Sequence, residues 1–398
     1  MKPLENIKII DFTITHAGTH STMLLAAFGA EVIKVEPVGG EDPGRKFPPL
    51  DECGNSGYFS FLNKGKRGIA IDITKPAGQE VIKKLVAQAD VVVENFRNDY
   101  LTDNNLGYDV LKEINPQIIY ASLTGYGNNS PREGMAALEI QLQSMCGISS
   151  ISGYEDGAPV RAGVELACHV GGTYLATAIC IALINAKKRG IGQRIDISMI
   201  DSLFSIIEGA PIEYTLLGAE RKRTGNAYPS ICPYDTFLTK NGSISIGVCT
   251  DRQWQLFCEA LYLDRLASDP RYITNEERGI NYWTGLRDAI QSELEKYNKE
   301  EVESLMKENR IPCGVIKTVA EAMESNQVRE RGMLLELEDI GRGEVKTPGI
   351  PIKIYGVDDI DFTHAPAHGQ DTEKYLKCIG YSNDEISKLI ESKIAESI

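Results

Sequence analysis

Motifs that would tie this 398-residue chain to metal or redox chemistry are missing. Its nine cysteines are scattered, with no CxxC and no Cys/His ligand spacing. That suits reduced thiols better than a disulfide framework or a zinc site. Five histidines, at positions 16, 20, 169, 364 and 368, form no HExxH or related pattern, and no metal is expected. Neither a GxGxxG fingerprint nor a P-loop is present, since Gly125-Tyr126-Gly127 has the wrong spacing for either. Net positive charge is absent as well. A formal charge of −14 argues against a general nucleic-acid binder, although a local basic pocket could still take phosphates. The opening stretch, MKPLENIKIIDF, contains no signal-peptide core, so a cytoplasmic protein is expected, without a membrane partner.

What is present reads as an α/β enzyme. A chain of this length can bury a large core and has room for two domains. Ile7–Phe12 is an apolar run fit for a buried parallel strand. A loop over 13–18, a helical stretch at Thr22–Phe28 and a second strand at Glu31–Val35 complete a βαβ unit, the building block of a doubly wound domain. Another round follows. Arg67–Ile73 reads as a strand, Lys75–Gln88 as a helix with Pro76 in its first turn, and Asp90–Glu94 as a strand. Tyr108–Ile114 then reads as a helix and Ile118–Ser122 as a strand.

From about Tyr228 the character changes. Two alternating segments flank Lys240-Asn241-Gly242, and Asn-Gly between such runs is the strongest short hairpin signal. Charged helical sequence follows at Asp251–Leu263, Asn281–Tyr297 and Glu300–Glu308, and strands return near Val315 and in the Leu334–Ile354 region. The expected division is a large α/β domain over 1–225, a smaller α+β domain over 226–325, and a return to the large domain over 326–398.

The stretch Gly153–Ser202 organises the rest. Turn residues Gly153, Asp156, Gly157 and Pro159 lead through Val160–Ala167 to Cys168-His169. A nearly uncharged segment, Val170–Ala186, comes next. It closes in Lys187, Lys188, Arg189 and Gly190, a basic last turn and a helix-stopping glycine. A helix apolar all round belongs in a core or a bilayer. Carrying Asn185, two glycines and two threonines in its apolar run, this one is expected in a core. Gln193–Ile200 follows as a strand.

The succession PVRAG, ELACHVGG and GIGQRIDISMIDS resembles the class III CoA-transferases, the group that contains formyl-CoA:oxalate and carnitine CoA-transferases. Further markers cover essentially the whole chain in the family's order: FGAEVIKVEP, NKGKRGIAIDI, VVVENFR, IYASLTGYG, CPYDTF, RIPCGVIKTVAEAMESNQVRERGML and AHGQDTEKYLKCIGYSNDEI. The resemblance implies a Rossmann-like large domain, an inserted small domain and an interlocked homodimer. It also implies an activity: CoA moves from an acyl-CoA donor to a small carboxylate acceptor through a covalent enzyme intermediate. Acyl-CoA is then substrate, with no permanently bound cofactor.

By the same resemblance, Arg45, Lys66 and Arg97 are candidates for CoA phosphates, with Asn95 beside the adenosine. A second Arg that the family often carries after ENFR is replaced here by NDYLTDNN, with Asp103. At the reaction centre the departure is larger. The family's nucleophile is an Asp four residues before a helical Gly, and counting back from Gly172 reaches Cys168. The first-loop position that assists catalysis is His16, and the acidic one is Glu139. A site of Cys168, Glu139, His16 and His169 is therefore expected. A Cys activated by a neighbouring imidazolium or a helix N-terminus is a strong nucleophile. Two other readings stand beside it: a CoA-binding subunit that needs a partner chain, and a racemase, lyase or hydrolase of the same fold. Racemases of that fold use a His and an Asp, at positions that are Leu138 and Cys168 here.

Overall fold

A computed structural model describes the chain except residues 1, 98, 229, 340–342, 359 and 361, and the side chains of 337–344. The first βαβ unit forms where the apolar pattern places it. Strand β1 (Lys8–Asp11) leads into helix α1 (Ala17–Ala27) and strand β2 (Glu31–Glu36). Helix α2 (Gly57–Asn63), capped by Ser56, precedes strand β3 (Arg67–Ile71). Helix α3 (Pro76–Val86) starts at its proline and buries Val81, Ile82, Leu85 and Val86 at helical spacing. Strand β4 (Val91–Glu94), helix α4 (Tyr108–Ile114) and strand β5 (Ile119–Thr124) follow. Then come helices α5 (Glu139–Met145) and α6 (Leu166–Arg189), and strand β6 (Arg194–Ser198).

These strands form one sheet in the order β3-β2-β1-β4-β5-β6, every neighbouring pair parallel. A short strand, Ala395–Glu396, pairs antiparallel with β3 at the edge. Alternate residues of the strands feed two cores. On one face Ile10, Ile33, Ile69 and Val92 pack with α3, α4 and the C-terminal helices Thr372–Cys378 and Asn383–Glu391. On the other, Ile9, Val32, Val91 and Ile119 pack with α1 and α6. Strand order reverses at β1 and β4. In open parallel sheets a ligand crevice opens outside the carboxyl ends of the strands at that reversal.

Two compact units divide the chain: 1–148 with 162–209 and 330–398, and 149–161 with 210–329. The second unit holds the hairpin signalled by Asn-Gly, strands β7 (Tyr234–Thr239) and β8 (Gly242–Gly247), with β9 (Cys313–Val315) added antiparallel. Its core is Phe237, Ile244, Trp254, Phe257, Leu286 and Met306. Leu334–Asp339 and Gly343–Pro348 pair as a hairpin within the region expected to be strand, and 340–342 lie outside the described residues.

Helix α6 begins at Leu166 and holds Cys168 in its first turn, at the helix start as expected. Its burial corrects one expectation: only one face is covered. Gly171, Gly172, Leu175, Ile179, Ala182 and Ala186 are buried, while Tyr174, Ile181 and Ile184 are 42%, 63% and 58% exposed. A helix has more perimeter than α1 and one sheet face can cover, so a uniformly apolar sequence leaves its far side bare. The helix stops at Gly190, whose φ of +72° closes it in the left-handed cap conformation.

Candidate active site

The loop between β1 and α1 carries His16, and four buried groups hold it. Asp11 accepts from the Thr13 N–H (2.9 Å), the Thr22 hydroxyl (2.7 Å) and the Lys66 ammonium (2.8 Å). Lys34 donates to the Thr13 carbonyl (2.8 Å) and pairs with Asp42 (2.7 Å). Asp42 in turn accepts from the Thr15 N–H at 3.0 Å. Asn95 grips Ile14 twice: its side-chain oxygen accepts from the N–H and its nitrogen donates to the carbonyl, both at 2.8 Å. Thr15 sits at φ +59°, strained for a β-branched residue, and this network keeps it there.

His16 thus reaches the N-terminus of α1, buried, with neither ring nitrogen hydrogen-bonded. Its ring meets His169 edge to face at 4.6 Å between centroids, and His169 meets His20 at 4.7 Å. Tyr58, from α2, lies 5.4 Å from His16. Burial, then the neighbouring His169, pulls His16 down to about 4. Burial, then His169 and His16, pulls His20 down to about 3. Burial also lowers His169, against the pull of Glu139. The cluster is therefore uncharged at neutral pH.

Glu139 starts α5 and reaches across to α6. Its carboxylate accepts from the Ala167 N–H through both oxygens, at 2.8 and 3.0 Å, and from Gln143 at 2.6 Å. It satisfies an otherwise orphan donor in the first turn of α6 and places its negative charge at the helix's positive end. Buried Gln143 extends the brace by accepting from the Ala162 N–H at 2.8 Å. Glu165 is the N-cap residue of α6. Ligand atoms of Glu139, Glu165 and Cys168 all lie within 4.8 Å of one another, a set that could also hold a metal ion.

These carboxylates reverse the expected activation of Cys168. Burial first, then Glu139 and Glu165, pushes the thiol up to about 12, and it hydrogen-bonds to Glu139. The helix N-terminus favours a thiolate, but it is outweighed by desolvation and two adjacent negative charges. No imidazolium offsets them. At neutral pH Cys168 is a protonated thiol.

A cavity of about 370 Å³ opens onto this cluster, lined by His16, Tyr58, Glu139, Glu165 and Cys168, and also by Gly125-Tyr126-Gly127 and Arg132. A second, of about 570 Å³, lies at the carboxyl ends of β1 to β4, lined by Phe12, Val35, Pro37, Ile71, Thr74 and Tyr100. Ile14, Asn95, Phe96 and Arg97 line both. The predicted residues are thereby sorted. Cys168, Glu139, His16 and His169 come together. Arg97 is exposed on the shared wall, and Asn95 both lines that wall and pins the His16 loop. Lys66 lines neither cavity; its ammonium is fully buried against Asp11. Arg45 forms a two-pronged pair with Glu36, at 2.9 and 2.7 Å, and stacks over Phe59.

Sequence reasoning missed Glu165, His20, Tyr58 and Asp11. Two left a trace: Glu165 stands three residues before Cys168, and His20 four after His16, the spacings that share a helix face. Tyr58 and Asp11 left none.

A model of CoA-transferase family III matches residues 4–372, and the chain belongs to that family. It is an enzyme that transfers CoA. It is 36% identical to the succinate–glutarate CoA-transferase of Agrobacterium fabrum, over 84% of this chain and 85% of the relative. It is 34% identical to the succinyl-CoA:glutarate CoA-transferase of Mus musculus, over 100% of this chain and 91% of the relative. Among solved structures, a CAIB/BAIF family protein from Brucella suis superposes with a TM-score of 0.85 at 32% identity, covering 95% of this chain and 99% of that one.

Proposed function

We propose that the protein moves CoA from an acyl-CoA donor to a small carboxylate acceptor through a covalent intermediate formed in the cavity that His16, Glu139, Glu165 and Cys168 line. The observation that carries this reading is the wall shared by the two cavities. Ile14, Asn95, Phe96 and Arg97 belong to both, so the cavity at the carboxyl ends of the strands adjoins the one that holds Cys168, the arrangement an elongated ligand needs. CoA is such a ligand. Its nucleotide occupies the sheet-end cavity, with Asn95 beside it and Arg97 on its phosphates, and its thioester reaches the cluster. Arg97 has no ion-pair partner among the described residues and is free to take a phosphate. Lys66 and Arg45 serve the pocket indirectly, by holding the β1–α1 loop and the Glu36 side of the crevice. Small dicarboxylates and their CoA thioesters are the substrates, the class named for the Agrobacterium and mouse relatives.

The neutral His16 imidazole carries one N–H and can donate it to the thioester carbonyl as an oxyanion donor. His169 buttresses it. Strand order supports a Rossmann-like large domain, and the compact unit built around β7–β9 supports a small domain over 226–325 within it. The bare apolar face of α6, with Tyr174, Ile181 and Ile184, supports a homodimer that covers it. Nine free thiols suit a reducing, cytoplasmic setting.

The test is transfer itself. Purified protein is given succinyl-CoA and a panel of carboxylates, and acyl-CoA products are resolved by chromatography. New CoA thioesters, with Arg97→Ala raising the KM for the donor, are expected. If no carboxylate is converted, or if conversion needs a second, different chain, the reading is wrong.

A further inference from the structure

We infer that Glu165 is the covalent nucleophile, standing in for the Asp that this chain replaces with Cys168; the inference rests on the transferase reading above. Three observations lead there. First, the Cys168 thiol is protonated and faces two carboxylates, so forming its thiolate works against the local field. Second, Glu139 is committed: its two oxygens hold the Ala167 N–H and Gln143. Third, Glu165 lines the reaction cavity from the N-cap of α6, and its oxygen lies within 4.8 Å of the Cys168 sulfur. That sulfur is a γ atom, and an aspartate's carboxyl carbon at the same position would also be a γ atom. A glutamate one helical turn earlier, with one more methylene, delivers a carboxylate to nearly the same place. His16, buried with both ring nitrogens unpartnered, lines the same cavity.

Reaction chemistry points the same way. The Glu165 carboxylate attacks the donor thioester carbonyl; the C–S bond breaks and CoA leaves as thiolate, leaving a mixed anhydride of Glu165 and the donor acyl group. The thiolate attacks the Glu165 carbonyl, releasing the donor as its carboxylate and leaving CoA in thioester linkage to Glu165. The acceptor carboxylate then displaces that thiolate, and the thiolate returns to the acceptor's carbonyl, regenerating Glu165. No proton, oxidant or further reactant is needed. A cysteine could hold only the acyl group, never CoA, because a thioester needs one carbonyl partner. Only a carboxylate lets the enzyme carry CoA itself.

The experiment identifies which fragment the enzyme carries and where. Wild-type protein is mixed with succinyl-CoA without acceptor, treated with hydroxylamine, digested and mapped by mass spectrometry. A hydroxamate at Glu165, and an intact-protein adduct containing CoA rather than succinyl, are expected. Glu165→Gln should abolish the adduct and cut transfer by more than about a thousandfold, the order seen when a covalent nucleophile is removed. Cys168→Ala should keep the adduct. Succinyl on Cys168, or a hydroxamate at Glu139, with transfer intact in wild type, would overturn the Glu165 assignment and leave the transferase reading standing. Absence of transfer in wild type would sink both. The wild-type map needs no variant to fold.

Discussion

His16 makes the protein acid-labile in a window that its own chemistry sets. Unfolded, its imidazole takes a proton near pH 6.5; folded, burial and His169 hold it down to about 4. Above both values neither state binds the proton, and His16 adds no pH dependence. As pH falls through 6.5 the unfolded state gains a proton that the folded state refuses, so stability is lost. At pH 5 the unfolded imidazole is nearly all protonated and the folded one about a tenth. Integrating the difference from pH 8 gives a loss of about 2 kcal/mol, rising to roughly 3 kcal/mol by pH 4. Urea unfolding at pH 8 and pH 5 measures it, on wild type and on His16→Gln. The substitution removes the titrating ring, and the loss between the two pH values should shrink by about 2 kcal/mol. An NMR titration of the histidine ring protons gives the direct reading: the His16 resonance should stay unmoved from pH 8 to pH 5. A His16 ring that titrates near 6.5, or an unchanged pH loss in His16→Gln, would refute the argument that burial keeps the site's histidines neutral.

Lys66→Met should cost about 3–5 kcal/mol in urea unfolding, because it strands the fully buried Asp11 carboxylate; a loss under about 1 kcal/mol would mean the pair is not buried as described. Arg97→Ala should leave stability within about 0.5 kcal/mol of wild type and weaken CoA by about tenfold in calorimetric titration. Unchanged affinity there would remove Arg97 from the phosphate site. Gly172→Ala should destabilise by about 1–3 kcal/mol, since its Cβ would stand 2.6 Å from the Ala17 carbonyl oxygen and only a parting of α1 and α6 relieves the clash. Thermal unfolding indistinguishable from wild type would show that the two helices are not in close contact there.

Local pattern was enough for much of this protein. Apolar runs at 7–12, 31–35 and 90–94 became strands because a buried parallel strand needs nothing more than length and apolar residues. Asn241-Gly242 turned its hairpin, and Gly190 ended α6, because each conformation is chosen by one or two residues. Ordered motifs gave the family, and with it Cys168, Glu139 and His16 as the places to look. Tertiary structure decided what those residues are. Lys66 read as a free cation until Asp11, 55 residues away in the chain, consumed its charge. Cys168 read as an activated nucleophile until Glu139 arrived from α5 and, with Glu165 at the helix start, raised its proton affinity. The α6 sequence, apolar all round, gave no sign of which face would be covered; α1 and the sheet settled that. Charge state and exposure depend on what distant segments bring within a few ångströms, and a linear sequence does not record those distances.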